Sequence, residues 1–158
     1  METENTCFEP QAMFEKYADM VYRLSLVRTK NRHDSEDILQ EVFLRYMKVW
    51  RSMESEEHVK AMLIRITVNC SKSLLGSAWF RKTEGLEEDL PAPAEEGRDV
   101  LGAVLNLPLK YRTAVHLHYY QGYSVEEMAE LLHTHPSTVK TWLFRARALL
   151  KEIIREEE

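Results

Sequence analysis

Hydroxyl, cationic and aromatic side chains follow one another closely between residues 137 and 147. They are Ser137, Thr138, Lys140, Thr141, Phe144, Arg145 and Arg147. Such side chains can hold phosphate oxygens, hydrogen-bond to the edges of bases and touch the methyl group of thymine. The segment therefore predicts recognition of nucleic acid by a helix that lies in the major groove.

The residues around this segment predict a helix-turn-helix. Ser124 is placed to cap a first helix, and Glu127, three residues later, can complete a capping box. Pro136 suits the first turn of a second helix. In that helix an apolar stripe recurs every three or four residues and fixes the inward face, namely Val139, Leu143, Ala146, Leu150 and Ile153. The alternative is a solvated basic helix in an ordinary helical bundle.

A second candidate surface lies on an amphipathic helix predicted from Ser35 to Trp50. Its inward set is Ile38, Leu39, Val42, Phe43, Tyr46, Met47 and Trp50, and its outward set includes Asp37, Gln40, Glu41, Leu44 and Arg45. Asp34 is predicted to be its N-cap. Leu44 is a large apolar residue among charges, which fits either a partner contact or an ordinary exposed leucine.

A third candidate surface lies on a helix predicted from Glu57 to about Ala78, with Asn69 and Lys72 on its outer face. The residues that follow, Trp79, Phe80, Arg81 and Lys82, put aromatic rings beside cations. This composition suits phosphate contact and base stacking, and it equally suits a helix end whose rings fold back onto the core.

Periodicity over the 158 residues predicts an all-α protein of two small helical domains joined by a flexible acidic linker. The linker, residues 83–99, contains two glycines and two prolines, and residues 81–99 carry a charge of −4 within a net charge of −5. Neither helical region is strongly basic, so tight autonomous binding to DNA is not expected. A protein that touches DNA after docking on a larger machine fits better.

The sequence also predicts a cytoplasmic protein with no direct membrane insertion, because no apolar run could span a bilayer and the N-terminus lacks a signal segment. Cys7 and Cys70 are expected to be reduced thiols, with Cys70 buried.

Five stretches resemble the extracytoplasmic function (ECF) sigma factors. Residues 34–45, DSEDILQEVFLR, resemble the family's core-binding helix, region 2.2, and residues 61–69, AMLIRITVN, its region 2.3 to 2.4. Region 4 is resembled by LPLKYRT at 107–113, GYSVEEMAELL at 122–132 and TVKTWLFRAR at 138–147. The stretches stand in the family's order between about Phe14 and Leu150.

The resemblance implies a bacterial initiation subunit with region 2 at residues 10–82 and region 4 at 100–155, whose linker threads toward the RNA exit path. Its implied partners are core RNA polymerase (the β′ clamp helices and the β flap), promoter DNA and an anti-sigma factor, with no cofactor. Implied contacts to the clamp helices come from Asp37, Gln40, Glu41, Leu44 and Arg45. Those to the minus-10 element come from Asn69, Lys72, Trp79, Arg81 and Lys82. Those to the minus-35 element come from Ser137, Thr138, Lys140, Thr141, Trp142, Phe144 and Arg145.

The chain departs from the family pattern at several of these positions. Trp142 stands where the family usually has arginine, and Ser137 stands where glycine is common. Met62 and Ile64 replace a tryptophan and a tyrosine of region 2.3, and Met53 replaces an aromatic residue. These departures predict altered minus-35 specificity and different promoter-melting contacts.

Other functions are possible for a helical protein of this size. An enzyme is not expected, because no phosphate-binding loop, paired-carboxylate site or nucleophile motif is present. Metal binding is not expected either, since the pairs His116/His118 and His133/His135 would point apart on a helix. A stand-alone helix-turn-helix regulator and an adaptor that binds polymerase without reading DNA both remain open.

Overall fold

The computed structural model describes the backbone of residues 6–83 and 98–157. It describes the burial and contacts of the side chains of residues 7–76 and 102–153. The chain divides into two compact units, Met1–Asp89 and Leu90–Glu158. Every regular element in the described ranges is helical, so the predicted all-α class is confirmed. None of the helices in those ranges is long and apolar enough to cross a membrane.

Three helices form the first unit: α1 (Pro10–Thr29), α2 (Arg32–Val49) and α3 (Glu56–Thr83). Two short 3₁₀ turns, Thr6–Phe8 and Trp50–Ser52, flank them. The helices pack around one apolar core that includes Met13, Val21, Ile38, Val42, Phe43, Tyr46, Val59, Leu63 and Cys70. Burial raises the pKa of the Cys70 thiol, so the predicted buried, reduced cysteine is a neutral member of this core.

The predicted N-cap of α2 at Asp34 was wrong, because Asn31 takes that position. Lys30 ends α1 in a left-handed conformation with φ 57°, and Asn31 follows in an extended one. The Asn31 Oδ1 atom accepts a 2.7 Å hydrogen bond from the Asp34 backbone N–H. The chain therefore reverses at Lys30 and Asn31, and Asp34 is a buried residue in the first turn of α2.

A buried polar network joins the three helices near this reversal. The Arg28 Nε atom donates to the Ser71 Oγ atom, which links α1 to α3. Thr29 Oγ1 lies 3.2 Å from Ser35 Oγ, which links α1 to α2. Because buried polar groups without partners are costly, this network fixes how the helices can pack.

The second unit contains α4 (Arg98–Leu105), α5 (Leu109–Val115), α6 (Val125–Leu131) and α7 (Pro136–Glu157). One core cluster consists of Val104, Leu107, Val115 and Ala146. A π-helical turn, His116–Tyr120, follows α5 directly. Gly122 comes two residues later at φ 77°, a left-handed conformation that glycine adopts without strain.

The limits of the predicted acidic linker need a correction at both ends. Thr83 still belongs to α3, and Arg98 and Asp99 belong to α4. Residues 84–97 lie outside the described residues, so the linker itself stays a prediction.

Tyr46 joins the N-terminal 3₁₀ turn to the core of the first unit. Its side chain is completely buried, and its hydroxyl donates a 2.7 Å hydrogen bond to the Phe8 carbonyl. Burial raises the pKa of Tyr46 to about 12. The fold therefore holds the neutral phenol at pH values where an unfolded chain would ionise it.

This pKa difference predicts a specific loss of stability in alkali. Between pH 10 and 12 the unfolded chain binds fewer protons at this site than the folded one, so the free energy of unfolding falls as pH rises. From pH 9 to 11 we expect the wild type to lose about 1 kcal/mol more than Tyr46→Phe in urea titrations. The pKa of Tyr17 is also raised by burial, but Tyr17 is present in both proteins, so its contribution to the loss is the same in both. Equal losses in the two proteins would contradict this assignment.

Candidate nucleic-acid and protein interfaces

The outward face of α2 carries all five residues predicted to bind a protein partner. Asp37, Gln40, Glu41, Leu44 and Arg45 are exposed, and their spacing places them on one side of the helix. The Arg45 Nε atom donates a 3.0 Å hydrogen bond to the Glu41 carboxylate. Leu44 is 57% exposed beside this pair. The face is thus a mixed polar and apolar surface whose backbone is held rigidly by the core.

Met47 was predicted to face inward, and this was wrong, because its side chain is 58% exposed. It lies three residues after Leu44 and seven after Gln40, so it continues their outward stripe. The inward positions of α2 are filled instead by Ile38, Val42 and Tyr46. The exposed apolar part of this face is therefore larger than predicted.

The outer face of α3 presents Asn69 and Lys72, which are both exposed and lie three residues apart. Arg65, four residues before Asn69, is half-buried on the same stripe, and its Nε atom is buried without a hydrogen-bond partner among the described residues. Arg65 is therefore a third polar residue on the outer face of α3. The backbone of Trp79, Arg81 and Lys82 belongs to α3, but their side chains lie outside the described ones.

The predicted capping box at the start of the helix-turn-helix is present. The Glu127 N–H donates to Ser124 Oγ at 3.1 Å, and the Ser124 N–H donates to Glu127 Oε1 at 2.9 Å. Each side chain satisfies a backbone donor that the first turn of α6 would otherwise leave free. The entry into the motif is therefore determined locally by two residues.

The turn between α6 and α7 depends on His133, whose left-handed conformation was not predicted from the sequence. This residue has φ 54°, and the Thr134 N–H donates a 2.9 Å hydrogen bond back to the Ala129 carbonyl. The arrangement is a Schellman motif, normally built on glycine, and histidine is among the side chains that tolerate the left-handed conformation. The turn orients α7, which begins at Pro136 as predicted.

The exposed face of α7 carries Ser137, Lys140, Thr141, Phe144 and Arg145. Phe144 is 68% exposed, so it does not belong to the core. The opposite face is buried through Val139, Leu143 and Ala146, as predicted. Thr138 and Trp142 are half-buried and lie at the edge of the exposed face.

The chemistry of this face is cationic and amphipathic. The Thr141 hydroxyl donates a 3.0 Å hydrogen bond to the Ser137 carbonyl, so its oxygen remains available as an acceptor. No acidic residue occurs from Pro136 to Lys151, whereas α6 carries Glu126, Glu127 and Glu130. Positive charge is therefore concentrated on α7 although residues 100–158 have no net charge.

Comparison with known proteins assigns both units. Residues 13–81 match the protein family described as Sigma-70 region 2, and residues 98–150 match the family described as Sigma-70, region 4. The two matches cover most of α1 to α3 and most of α4 to α7, respectively. The candidate residues of the three surfaces lie inside them, except Lys82, which follows the first match directly.

Several relatives are similar over most of the chain. The ECF RNA polymerase sigma factor SigM of Bacillus subtilis is 30% identical in an alignment that covers 89% of this chain and 92% of SigM. The ECF RNA polymerase sigma factor SigE of Mycolicibacterium smegmatis is 31% identical in an alignment that covers 90% of this chain. The same alignment covers only 60% of the longer SigE.

Two solved structures share the fold. The sigma factor RpoE from Bartonella quintana, in complex with the anti-sigma factor NepR, has a TM-score of 0.78 at 21% identity, covering 94% of this chain and 98% of RpoE. CnrH, in complex with the cytosolic domain of CnrY, has a TM-score of 0.68 at 17% identity, covering 94% of this chain and 89% of CnrH.

The predicted resemblance is thus confirmed in both halves of the sequence and in the fold. This chain belongs to the ECF family of RNA polymerase sigma factors, the initiation subunits that direct transcription.

Proposed function

We propose that this protein docks on core RNA polymerase and gives it specificity for promoters through separate contacts to the minus-10 and minus-35 elements, as a non-catalytic subunit. The main support is the exposed face of α7, which has no acidic residue from Pro136 to Lys151, on a capped helix-turn-helix. A stand-alone regulator is not favoured, because the family matches extend over both units.

The polymerase contact is assigned to the outward face of α2. In this proposal Asp37, Gln40, Glu41 and Arg45 form polar contacts to the β′ clamp helices, and Leu44 supplies an apolar contact. Leu44 and Met47 are both more than half exposed, so a partner could bury them at little cost to the free protein. The second unit is proposed to contact the β flap.

The minus-10 contact is assigned to α3. Asn69 has donors and an acceptor that suit the edge of an unstacked base, and Lys72, one turn later, suits a phosphate. Trp79, Arg81 and Lys82 are proposed to continue this surface along the displaced strand.

The minus-35 contact is assigned to the exposed face of α7. Lys140 and Arg145 have the donors that recognise guanine, and Phe144 can touch a thymine methyl group. Ser137, Thr138, Thr141 and Trp142 are proposed to complete the face, with the two half-buried residues at its edge.

An anti-sigma factor is proposed as a further partner. RpoE and CnrH, whose folds this chain shares, were solved with NepR and with the cytosolic domain of CnrY, respectively. By extension, a protein of that type would hold this chain away from polymerase. The proposed site of action is the cytoplasm, where polymerase and promoters are found.

Dependence on polymerase tests the proposal as a whole. The purified protein alone should bind duplex DNA weakly, and addition of core enzyme should produce binding to, and run-off transcription from, promoters selected from a pool of upstream sequences. Equal sequence-specific binding with and without core enzyme would favour a stand-alone regulator and contradict the proposal.

The α2 assignment predicts that Gln40→Ala with Glu41→Ala weakens the affinity for core polymerase without unfolding the protein. Both side chains are exposed, and the exposed Glu41–Arg45 pair adds less than about 1 kcal/mol to stability. The matched control is Gln11→Ala with Glu15→Ala, an exposed glutamine and glutamate on α1. The same affinity for both double variants would remove the docking assignment.

The α7 assignment predicts that Arg145→Ala weakens holoenzyme binding by roughly 1 to 3 kcal/mol if Arg145 contacts a base. The loss of affinity should be large on the preferred minus-35 sequence. It should be small on sequences that are changed at the one base pair that Arg145 contacts. Lys110→Ala, an exposed cation on α5, serves as the control. A uniform loss across all sequences would mean that Arg145 does not read a base.

A further inference from the structure

Tyr119 and Arg147 form a contact, and neither residue belongs to the sets proposed to bind polymerase or the two promoter elements. The Arg147 Nη1 atom donates a 3.0 Å hydrogen bond to the Tyr119 hydroxyl, although the two residues lie 28 positions apart. The contact joins the turn before α6 to the fourth turn of α7. Both side chains are exposed, Tyr119 to 54%. An exposed hydrogen bond of this kind adds little to folding, so stability does not explain the arrangement.

The π-helical turn and His118 hold Tyr119 in place. The Gln121 N–H bonds to the His116 carbonyl, five residues back, and this wider turn leaves Tyr119 and Tyr120 both exposed. The His118 ring packs edge-on against Tyr119 with 4.8 Å between centroids, and His118 Nδ1 lies 2.8 Å from the Tyr123 carbonyl. The tyrosine hydroxyl is therefore presented from an ordered support. Single π-turns of this kind frequently occur at functional sites.

Arg147 belongs to the exposed cationic face of α7 but lies beyond its base-reading part. Lys140, Phe144, Arg147 and Lys151 follow one another at spacings of four, three and four residues, which makes one stripe. At a rise of 1.5 Å per residue, Arg147 lies about 15 Å along the axis from Ser137. The major groove is only about 12 Å wide, so a helix that inserts its first turns would bring Arg147 to the phosphates at the groove edge.

The donors of the pair match one phosphate group. A guanidinium carries five N–H donors in a planar fork, so the bond to Tyr119 leaves others free. The Tyr119 hydroxyl accepts from Arg147 and can still donate its own proton to a phosphate oxygen. We propose that Tyr119 and Arg147 clamp one backbone phosphate of promoter DNA at the edge of the major groove entered by α7. The clamp rests on the proposed minus-35 contact and adds affinity and register without reading sequence.

Salt dependence of holoenzyme binding tests the clamp. Arg147→Gln should weaken binding by the same factor on promoters that differ in the minus-35 sequence. It should also reduce the slope of log affinity against log salt by about 1, as expected for one lost phosphate contact. Tyr119→Phe should weaken binding several-fold with the slope unchanged, because no charge is lost. Tyr120→Phe, at the neighbouring exposed tyrosine, should bind as the wild type does.

A double-mutant cycle shows whether the two residues act on one phosphate. The fold-loss of DNA affinity in the double variant, Tyr119→Phe with Arg147→Gln, should be smaller than the product of the fold-losses in the two single variants. An unchanged salt slope for Arg147→Gln, a loss that depends on base identity, or fully multiplicative losses would each overturn the clamp. If α7 does not enter the groove at all, Arg145→Ala also loses its sequence-dependent effect, so failure of the clamp alone is distinguishable.

Discussion

Each helix of this protein can bury only one side, and every candidate surface follows from that constraint. In α2, Val42 and Tyr46 are completely buried, which turns Gln40 and Glu41 outward. In α7, Val139 and Ala146 do the same for the cationic face. Since the side chains recur with a period of 3.6 residues, core and interface are two consequences of the same pattern. A shift in the packing of either helix would move the interface with the core.

The distribution of charge explains why two such surfaces would need a larger partner. If Lys140, Arg145 and Arg147 each neutralised one phosphate, the salt dependence of α7 binding would correspond to only about three released counterions. That is far fewer than the six to ten or so phosphate contacts of tightly binding DNA-recognition proteins. Docking on polymerase would raise the local concentration of α7 near DNA, so weak contacts at several elements could act together. A chain of net charge −5 is then no obstacle to promoter binding.

The sequence predicted the features set by neighbouring residues and missed those set by distant ones. The Ser124–Glu127 box and the Pro136 start were predictable because each depends on residues within one turn. Asp34 and Asn31 are both good capping residues, and the left-handed conformation of Lys30, which has no local sequence signal, makes Asn31 the N-cap. Met47 lies where the inward and outward stripes of α2 meet, so periodicity alone did not settle its side. The contact of Tyr119 with Arg147 spans 28 positions and a π-turn, neither of which has a local sequence signal.

Trp142 is the departure from the expected sigma-factor pattern that bears most directly on the second unit, since the resemblance implies an arginine at this position. An indole has a single N–H donor and no charge, whereas a guanidinium has five donors and a permanent charge. Here the ring is half-buried at the edge of the exposed face, so it covers apolar surface where a cation would add phosphate affinity. With that cation absent, the positive charge of the face is carried by Lys140, Arg145, Arg147 and Lys151. In the proposed complex, phosphate anchoring therefore moves from the middle of α7 toward its later turns, where Tyr119 supports Arg147.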